Sequence, residues 1–395
     1  VHGVRVRWPG GVAEDFSGVS IDGRHVLSQG SGKATPAPVR SGRFALKPQR
    51  LVVPKASSRT RTWLAAPVPA PLVPYTDLDG KPQRLADKPG EAVLVNLWSR
   101  WCKPCMAELK AFGAARAQLD RDKIKIVALN VDTVSIGDKE KPDVSALRKT
   151  LKGVGFSMPA GALDARGFAK IEMIQRMLIT DRRALPLPTS MLVDGKGMLR
   201  AIYRGPVDVE QIRMDARNLE VDAERGRKLA AVFPGRWTSP LPLAMVEQMG
   251  WGMLQSGHPE DARRMYDFAL VTDPNNVTAH YNLGIMNARQ GNIEGAMVHF
   301  MHILRIEPNH GEAHHNLANL YVRQGRLPKA IEHYRQAVRQ VPGNASIRNT
   351  FGVTLAQTGR FEEALVQFEK AVELAPDMEA AVDNVARVKQ DLSKR

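Results

Sequence analysis

The sequence predicts an α/β domain in the middle of the chain and an all-α array of helical repeats in its C-terminal third. A continuous apolar strand at residues 93–98 precedes a helical pattern that begins at Met106, and a second apolar strand follows at 124–131. This strand–helix–strand order favours a parallel pair with a right-handed crossover. From residue 243 onward, residue types recur every 34 positions, which predicts stacked pairs of helices.

The N-terminal segment, residues 1–30, predicts short β-strands because apolar and polar residues alternate there between glycine-rich turns. About 30 residues are too few to bury a stable core. The run Val-Arg-Val-Arg-Trp-Pro-Gly-Gly at 4–11, with Phe16 and Leu-Ser-Gln-Gly at 27–30, resembles the ASPIC/UnbV segment that ends certain bacterial propeller-like proteins. An arbitrary hairpin is the alternative. Residues 31–74 are rich in Pro, Ser, Ala and basic residues, and predict an extended linker with little packing, disordered in character.

Composition excludes several classes of protein. The 395 residues are 43% hydrophobic and 25% charged, as in a soluble globular protein of two to three domains. No apolar run approaches the ~18 residues that a membrane span needs, so no transmembrane segment is predicted. Only two cysteines occur, Cys102 and Cys105, which excludes a disulfide scaffold and a four-cysteine zinc site.

The net charge of +15 is unevenly distributed. Residues 1–74 carry 11 Lys+Arg against 3 Asp+Glu, residues 75–233 carry 28 against 21, and residues 234–395 carry 17 against 17. The basic excess is diffuse and shows no stripe interleaved with aromatic residues, so nucleic acid is not the predicted partner.

The two cysteines predict redox chemistry. Trp101-Cys102-Lys103-Pro104-Cys105 follows a buried strand and opens a helix, which is the context of a reactive dithiol rather than of half a zinc site. Unpaired N–H groups at the helix start, with Arg100 and Lys103 nearby, stabilise a thiolate on Cys102. Cys102 is therefore the predicted attacking group. Cys105, one helical turn later, resolves the mixed disulfide.

The run at 93–109, Val-Leu-Val-Asn-Leu-Trp-Ser-Arg-Trp-Cys-Lys-Pro-Cys-Met-Ala-Glu-Leu, resembles the thioredoxin-like superfamily, in particular its TlpA branch of exported bacterial reductases. The resemblance implies a thioredoxin-like domain over 75–233, with a central mixed sheet flanked by helices. It also implies that Glu108 manages the proton of Cys105; a surface glutamate in a routine helix pair is the alternative. Asn96 stands where ordinary thioredoxins place a buried aspartate, so that proton-transfer role is absent or moved.

The same resemblance implies a cis-proline facing the dithiol. Pro188 matches that position; Pro186 and a plain turn proline are the alternatives. Leu187 would then pair with an extended substrate. The remaining predicted substrate-binding residues are Trp101, Lys103, Pro104 and Thr189. The connection at 135–183 is longer than the family minimum, and a helix near 168–178 is expected to cover the dithiol.

The C-terminal repeats resemble tetratricopeptide (TPR) repeats. Four positions recur in four copies: prolines at 274, 308, 342 and 376, turn glycines at 257, 291, 325 and 359, small residues at 250, 284, 318 and 352, and aromatics at 266, 300, 334 and 368. The pattern predicts four repeats over 243–378 and a capping helix at 379–395.

Eight of the ten histidines lie beyond residue 234. His280 and His314 occupy equivalent repeat positions, and so do His299 and His333. Stacked repeats bring such positions together, so a metal or haem-like contact is one interpretation; solvated or packing histidines are the favoured one. We predict no metal and no cofactor.

The leading functional hypothesis is a thiol–disulfide oxidoreductase, in the reducing direction because Pro104 in the loop resembles reducing thioredoxins. Its predicted partners are a protein or peptide disulfide, an upstream thiol electron donor, and a protein docked in the TPR groove. The alternative is a TPR interaction scaffold with a structural or vestigial thioredoxin fold; a thiol peroxidase is less favoured. The resemblances imply a periplasmic or otherwise extracytoplasmic location, although no signal peptide is visible.

Overall fold

A computed structural model describes residues 3–8, 13–20, 24–37, 60–85, 90–132, 134, 143–179, 185–230 and 243–394. The chain divides into two units, residues 1–57 and 58–395. The unit at 1–57 contains two antiparallel pairs of short strands. These are β1 (Val4–Arg7) with β2 (Ala13–Phe16), and β3 (His25–Val26) with β4 (Thr35–Pro36). The predicted short strands are therefore present.

One eight-stranded mixed sheet forms the centre of the second unit. Its strands are β5 (Thr60–Pro69), β6 (Pro74–Asp77), β7 (Pro82–Arg84), β8 (Ala92–Trp98), β9 (Ile124–Asn130), β10 (Ala160–Leu163), β11 (Thr189–Val193) and β12 (Met198–Arg204). Their spatial order is β5-β12-β11-β8-β9-β10-β6-β7. The pairs β8–β9 and β9–β10 are parallel, and the other pairs are antiparallel. The predicted parallel pair is confirmed.

Helices cover both faces of this sheet. They are α1 (Lys103–Ala114), α2 (Arg116–Arg121), α3 (Val144–Gly153), α4 (Ala165–Leu178), α5 (Val209–Ala216) and α6 (Ala223–Ala230). Side chains alternate along β8, so Leu94 packs into the apolar cluster that contains Phe112 of α1, whereas Val95 packs into the cluster that contains Ile174 of α4. The dithiol helix and α4 therefore lie on opposite faces.

The predicted linker at 31–74 is corrected at both ends, and residues 38–59 of it lie outside the described part of the chain. Strand β4 falls inside its first residues, and β5 forms an edge strand of the large sheet, burying Trp63 and Val68. The prolines that suggested a linker include Pro67 and Pro69, which lie in this edge strand. An edge strand tolerates proline because one row of its N–H groups has no ladder partner.

Two further expectations are corrected. The sequence predicts one closing helix over 207–229, but the structure divides it into α5 and α6, because the Asp222 carboxylate accepts from Arg225 N–H at 2.8 Å and starts a new helix. The helix expected to cover the dithiol is α4, but it packs on the other face of the sheet. The long connection also supplies β10, which the sequence pattern did not predict.

Nine helices follow in the described residues 243–394. They are α7 (Leu243–Gln255), α8 (Pro259–Thr272), α9 (Val277–Arg289), α10 (Ile293–Ile306), α11 (Gly311–Arg323), α12 (Leu327–Gln340), α13 (Ala345–Gln357), α14 (Phe361–Leu374) and α15 (Glu379–Ser393). The small and aromatic registers meet between paired helices: a Cβ on Gly284 would lie 2.8 Å from the ring of Phe300, and one on Gly352 would lie 2.6 Å from Phe368. A small residue at this position therefore sets how closely each pair packs: glycine in three of the repeats and Ala318 in the third.

The first repeat packs directly onto the α/β domain. Lys170 of α4 places Nζ 2.7 Å from Asp261 of α8, and both side chains are buried. Leu72 joins the pair, since its N–H donates to Asp261 at 2.7 Å and its carbonyl accepts from Lys170 at 2.9 Å. Apolar residues of α4 and of α7 to α9 share one cluster around this pair. The array is thus anchored to the domain by a buried, hydrogen-bonded ion pair.

Among the described residues, no helix combines the length and the apolar character needed to cross a membrane.

Candidate redox site and comparison with known proteins

The reactive loop lies between the end of β8 and the start of α1. Cys102 is the N-cap residue of α1, and Pro104 occupies its first turn, where a missing N–H costs nothing. Cys102 and Cys105 form a disulfide. Cys102 is 5% exposed and Cys105 is fully buried, so an external sulfur reaches Cys102 first.

The N-terminus of α1 polarises the Cys102 sulfur. The backbone N–H of Cys105 donates to Cys102 Sγ, with N and Sγ 3.3 Å apart. In the reduced protein the same donor and the positive end of the helix dipole favour a thiolate on Cys102. Arg100, expected to add positive charge, instead pairs with Asp132 at 2.5 Å, so that carboxylate compensates its charge. Lys103 remains exposed beside the disulfide.

A buried polar network lies on the same helical face as Cys105. Glu108 is 4% exposed, and its two oxygens accept from Asn96 Nδ2 and from the Val207 N–H, each at 2.7 Å. Asn96 also donates to Ser190 Oγ at 2.9 Å. Glu108 is therefore a buried carboxylate, one turn after Cys105, and the surface helix pair considered from the sequence is not what the structure shows.

The loop before β11 forms the second wall of the site. The Leu187–Pro188 peptide bond is cis, which selects Pro188 over Pro186 for the position that the resemblance implied. Leu187 is partly buried and packs against the cluster that contains both cysteines. Thr189 is 1% exposed and donates through Oγ1 to the Pro186 carbonyl at 2.6 Å, so its side chain shapes the loop and does not face solvent.

The predicted substrate-binding residues therefore differ in exposure. Trp101 is 74% exposed, and Lys103 and Pro104 are exposed beside it, whereas Thr189 is buried. Sequence analysis missed Ser190 and the Val207 N–H as partners of the buried network. Ser190 lies opposite Asn96 in the β8–β11 pairing, a relation between residues 94 positions apart that no local pattern reveals.

The repeat histidines are engaged in packing. His280 donates through Nε2 to the Pro274 carbonyl at 3.0 Å, which leaves Nδ1 facing His299 Nδ1 at 2.9 Å. His314 and His333 repeat this arrangement at 2.8 Å. Across the described ranges, no group of three or more His, Cys, Asp or Glu side chains is placed to hold a metal ion.

Two parts of the chain match models of known protein families. Residues 67–202 match the model of the AhpC/TSA family, and residues 248–300, 275–341 and 309–377 match tetratricopeptide repeat models. The thiol-disulfide oxidoreductase ResA of Bacillus thuringiensis subsp. konkukian is 29% identical over 143 residues, which are 36% of this chain and 72% of that protein. ResA of Geobacillus kaustophilus is 29% identical over 160 residues, 40% of this chain and 79% of that protein.

Among solved structures, a DsbF homologue from Corynebacterium diphtheriae is 17% identical with a TM-score of 0.32, covering 42% of this chain and 94% of that chain. The family matches and the ResA relatives agree with the sheet, the dithiol loop and the helical repeats described above. The chain therefore carries a thioredoxin-like domain whose residues 67–202 match the AhpC/TSA family model and which is similar to thiol-disulfide oxidoreductases, followed by helices that match tetratricopeptide repeat models.

Proposed function

We propose that this protein is a thiol–disulfide oxidoreductase working in the reducing direction, with Cys102 as nucleophile and Cys105 as resolving thiol. The contact between the Cys105 N–H and Cys102 Sγ at the start of α1 carries the proposal. It supports a thiolate on the more exposed of the two sulfurs, which is the one that a substrate meets first.

The reaction proceeds in two exchanges. The Cys102 thiolate attacks one sulfur of a substrate disulfide, and the other substrate sulfur leaves as a thiolate. Cys105 then loses its proton and attacks Cys102 Sγ, which releases the second substrate thiolate and forms the Cys102–Cys105 disulfide. Two electrons pass from the protein dithiol to the substrate, and an upstream dithiol donor restores the reduced protein.

Glu108 is the proposed acceptor of the Cys105 proton. Its carboxylate lies on the same helical face as Cys105, and both side chains are buried. Asn96 Nδ2 and the Val207 N–H each donate a hydrogen bond to its carboxylate and hold it in place. A carboxylate held in position on the same helical face as a buried thiol is suited to general base catalysis.

The substrate-binding surface is assigned to the rim of the disulfide. Trp101, Lys103 and Pro104 are exposed on one side, and Leu187 packs beside the cysteines on the other. Pro188 and the buried Thr189 position that second wall. The repeats are proposed to dock a protein partner, and the resemblance to exported reductases supports an extracytoplasmic location.

The reduction potential of the Cys102/Cys105 couple tests this proposal. The full chain is equilibrated in dithiothreitol buffers and its free thiols are quantified, with Cys102→Ser as the control. A reversible two-electron couple at or below about −220 mV supports a reductase, and a value near about −120 mV makes the protein an oxidant. A disulfide that resists dithiothreitol in the folded chain would favour the interaction scaffold with a structural thioredoxin fold.

A further inference from the structure

The last two repeats form a groove on the surface made by their second helices. It has a volume of about 450 Å³ and is flanked by α12 and α14, with α13 below. Four cationic side chains line it: Arg335, Arg339, Arg348 and Lys370. We call it the basic groove.

The groove combines this charge with an apolar floor. Val366 is 46% exposed, Val338 is partly buried, and Phe351 lies beneath them at 3% exposure. A partner that covers the apolar area and pairs with the charges at the edges forms a stable complex with a surface of this kind, as in the core and rim of a protein interface.

The positive charge of the groove is only partly compensated. Among the described residues that line it, Glu363 is the single acidic one, and it already pairs with Arg335 at 3.6 Å and with Arg360. Within the described part of the chain, Arg339 and Lys370 make no ion pair, and both are exposed. Two cations therefore stand available at the groove edges.

The equivalent positions of the preceding repeat unit show that repeat packing does not require this charge. At the positions 34 residues earlier, Met301 replaces Arg335, His314 replaces Arg348 and Gln336 replaces Lys370. The equivalent positions keep Arg305 and Lys329 as cations and place Glu332 where Val366 stands. The basic groove is thus a local feature, added to a scaffold that folds in the same way without it.

We propose that the basic groove docks an amphipathic helical segment of a partner protein whose apolar face is flanked by carboxylates. The apolar side chains cover Val366 and Val338, and the carboxylates pair with Arg339 and Lys370. A nucleic acid fits less well because Phe351 is buried and offers no face for base stacking. The inference rests on the proposed docking role of the repeats. It adds the chemistry of the partner and the surface of the array that the partner contacts.

The test uses the full chain and a fluorescein-labelled helical peptide of about 14 residues, four helical turns, with leucines on one face and glutamates beside them. Binding is followed by fluorescence anisotropy. We expect saturable binding that weakens by about tenfold in Arg339→Glu/Lys370→Glu and weakens as salt rises. Replacing every peptide glutamate by lysine, or every leucine by serine, abolishes it.

The matched control reverses two exposed cations on the first helices of the repeats, Arg289→Glu/Arg323→Glu, and leaves binding unchanged. Equal loss in the control, equal binding of the serine peptide, or tighter binding of a single-stranded oligonucleotide overturns the proposal. If the glutamate variant fails to fold, as judged by circular dichroism, Arg339→Gln/Lys370→Gln replaces it. The reduction potential of the Cys102/Cys105 couple is measured on the same preparations. A reversible couple in a protein that does not bind the peptide refutes the docking role of the basic groove and leaves the proposed redox function standing.

Discussion

The thioredoxin-like domain and the repeat array bury polar side chains in different ways. Near the dithiol loop, Asn96, Glu108 and Ser190 form a network that does not recur among the described residues. In the array, His280 and His314 are buried 34 residues apart, each bonded to a proline carbonyl and to a second histidine. A polar contact that recurs at equivalent positions of successive repeats serves packing. A network found beside the two cysteines and not repeated is suited to chemistry.

The largest expected effect tests the chemical half of this comparison. Cys102→Ser removes the nucleophile, and reduction of a disulfide peptide falls by at least about a thousandfold. Cys105→Ser keeps the first attack but cannot resolve it, so a mixed disulfide with the peptide accumulates and is detected by mass spectrometry. Accumulation in Cys102→Ser instead would reverse the two assigned roles.

The next largest effect is expected on protein stability, when the buried ion pair between the α/β domain and the repeat array is broken. Asp261→Ala leaves the Lys170 charge and the Leu72 N–H buried without their partner, and we expect the free energy of unfolding to fall by about 3–5 kcal/mol. Urea denaturation measures it. Glu260→Ala is the control, because its pair with Arg84 is exposed and contributes about 0–1 kcal/mol. Equal effects of the two substitutions would show that the buried pair does not anchor the array.

Removing the Glu108 carboxylate distinguishes a role of this residue in proton transfer from a role in protein stability. In Glu108→Gln the side chain no longer accepts the Cys105 proton, and resolution of the mixed disulfide slows by about a hundredfold. Stopped-flow kinetics should show the lost rate returning as pH rises and Cys105 ionises unaided. The exposed Asp120→Asn serves as control. A uniform loss at every pH would assign Glu108 a structural role only.

The packing half of the comparison is tested at a repeat glycine. Gly284→Ala improves helix propensity but places a Cβ 2.8 Å from the Phe300 ring, and overpacking costs about 1–3 kcal/mol. Gly343→Ala is the matched control, since no atom lies within 4 Å of its Cβ position. Thermal unfolding should separate the two variants. A stabilised Gly284→Ala would mean that the small register does not set the helix spacing.

The smallest expected effect is a pH dependence of the array. Burial, with His280, Arg263 and His302 nearby, lowers the pKa of His299 to about 4, and burial also lowers the pKa of His333. Below about pH 6.5 the unfolded chain binds protons that the folded chain does not, so stability falls until about pH 4, by about 1–2 kcal/mol after allowance for partial exposure.

The fourth repeat offers the matched variant. There Arg348 donates to the Pro342 carbonyl at 3.0 Å and to Gln367 at 3.2 Å, in the place of the histidine pair. The substitution His280→Arg/His299→Gln copies this arrangement and should reduce the loss of stability between pH 6.5 and 4.5. Urea unfolding at both pH values provides the comparison, and an unchanged slope would exclude the histidine pair as its cause.

Much of the fold follows from local pattern. The 34-residue period predicted where each pair of helices lies in the sequence, because each repeat buries the same face against its neighbour. The strand–loop–helix context of Cys102 indicated its position at a helix start. The linker prediction failed at β5 because prolines in an edge strand and prolines in a linker give the same composition. Residues 168–178 formed the expected helix, but which face of the sheet α4 covers depends on the chain path through β10.

The sequence by itself determined the dithiol, its helix and the repeat architecture, since each depends on residues close together in the chain or repeated at a constant interval. It left Pro186 and Pro188 as alternatives for the cis-proline, and the structure selects Pro188. Only the tertiary structure decided what surrounds them. The Val207 N–H reaches Glu108 from 99 residues away, Lys170 reaches Asp261 from 91, and the basic groove combines side chains of three helices. Such contacts depend on how elements distant in the sequence pack together, and local sequence patterns do not predict that packing.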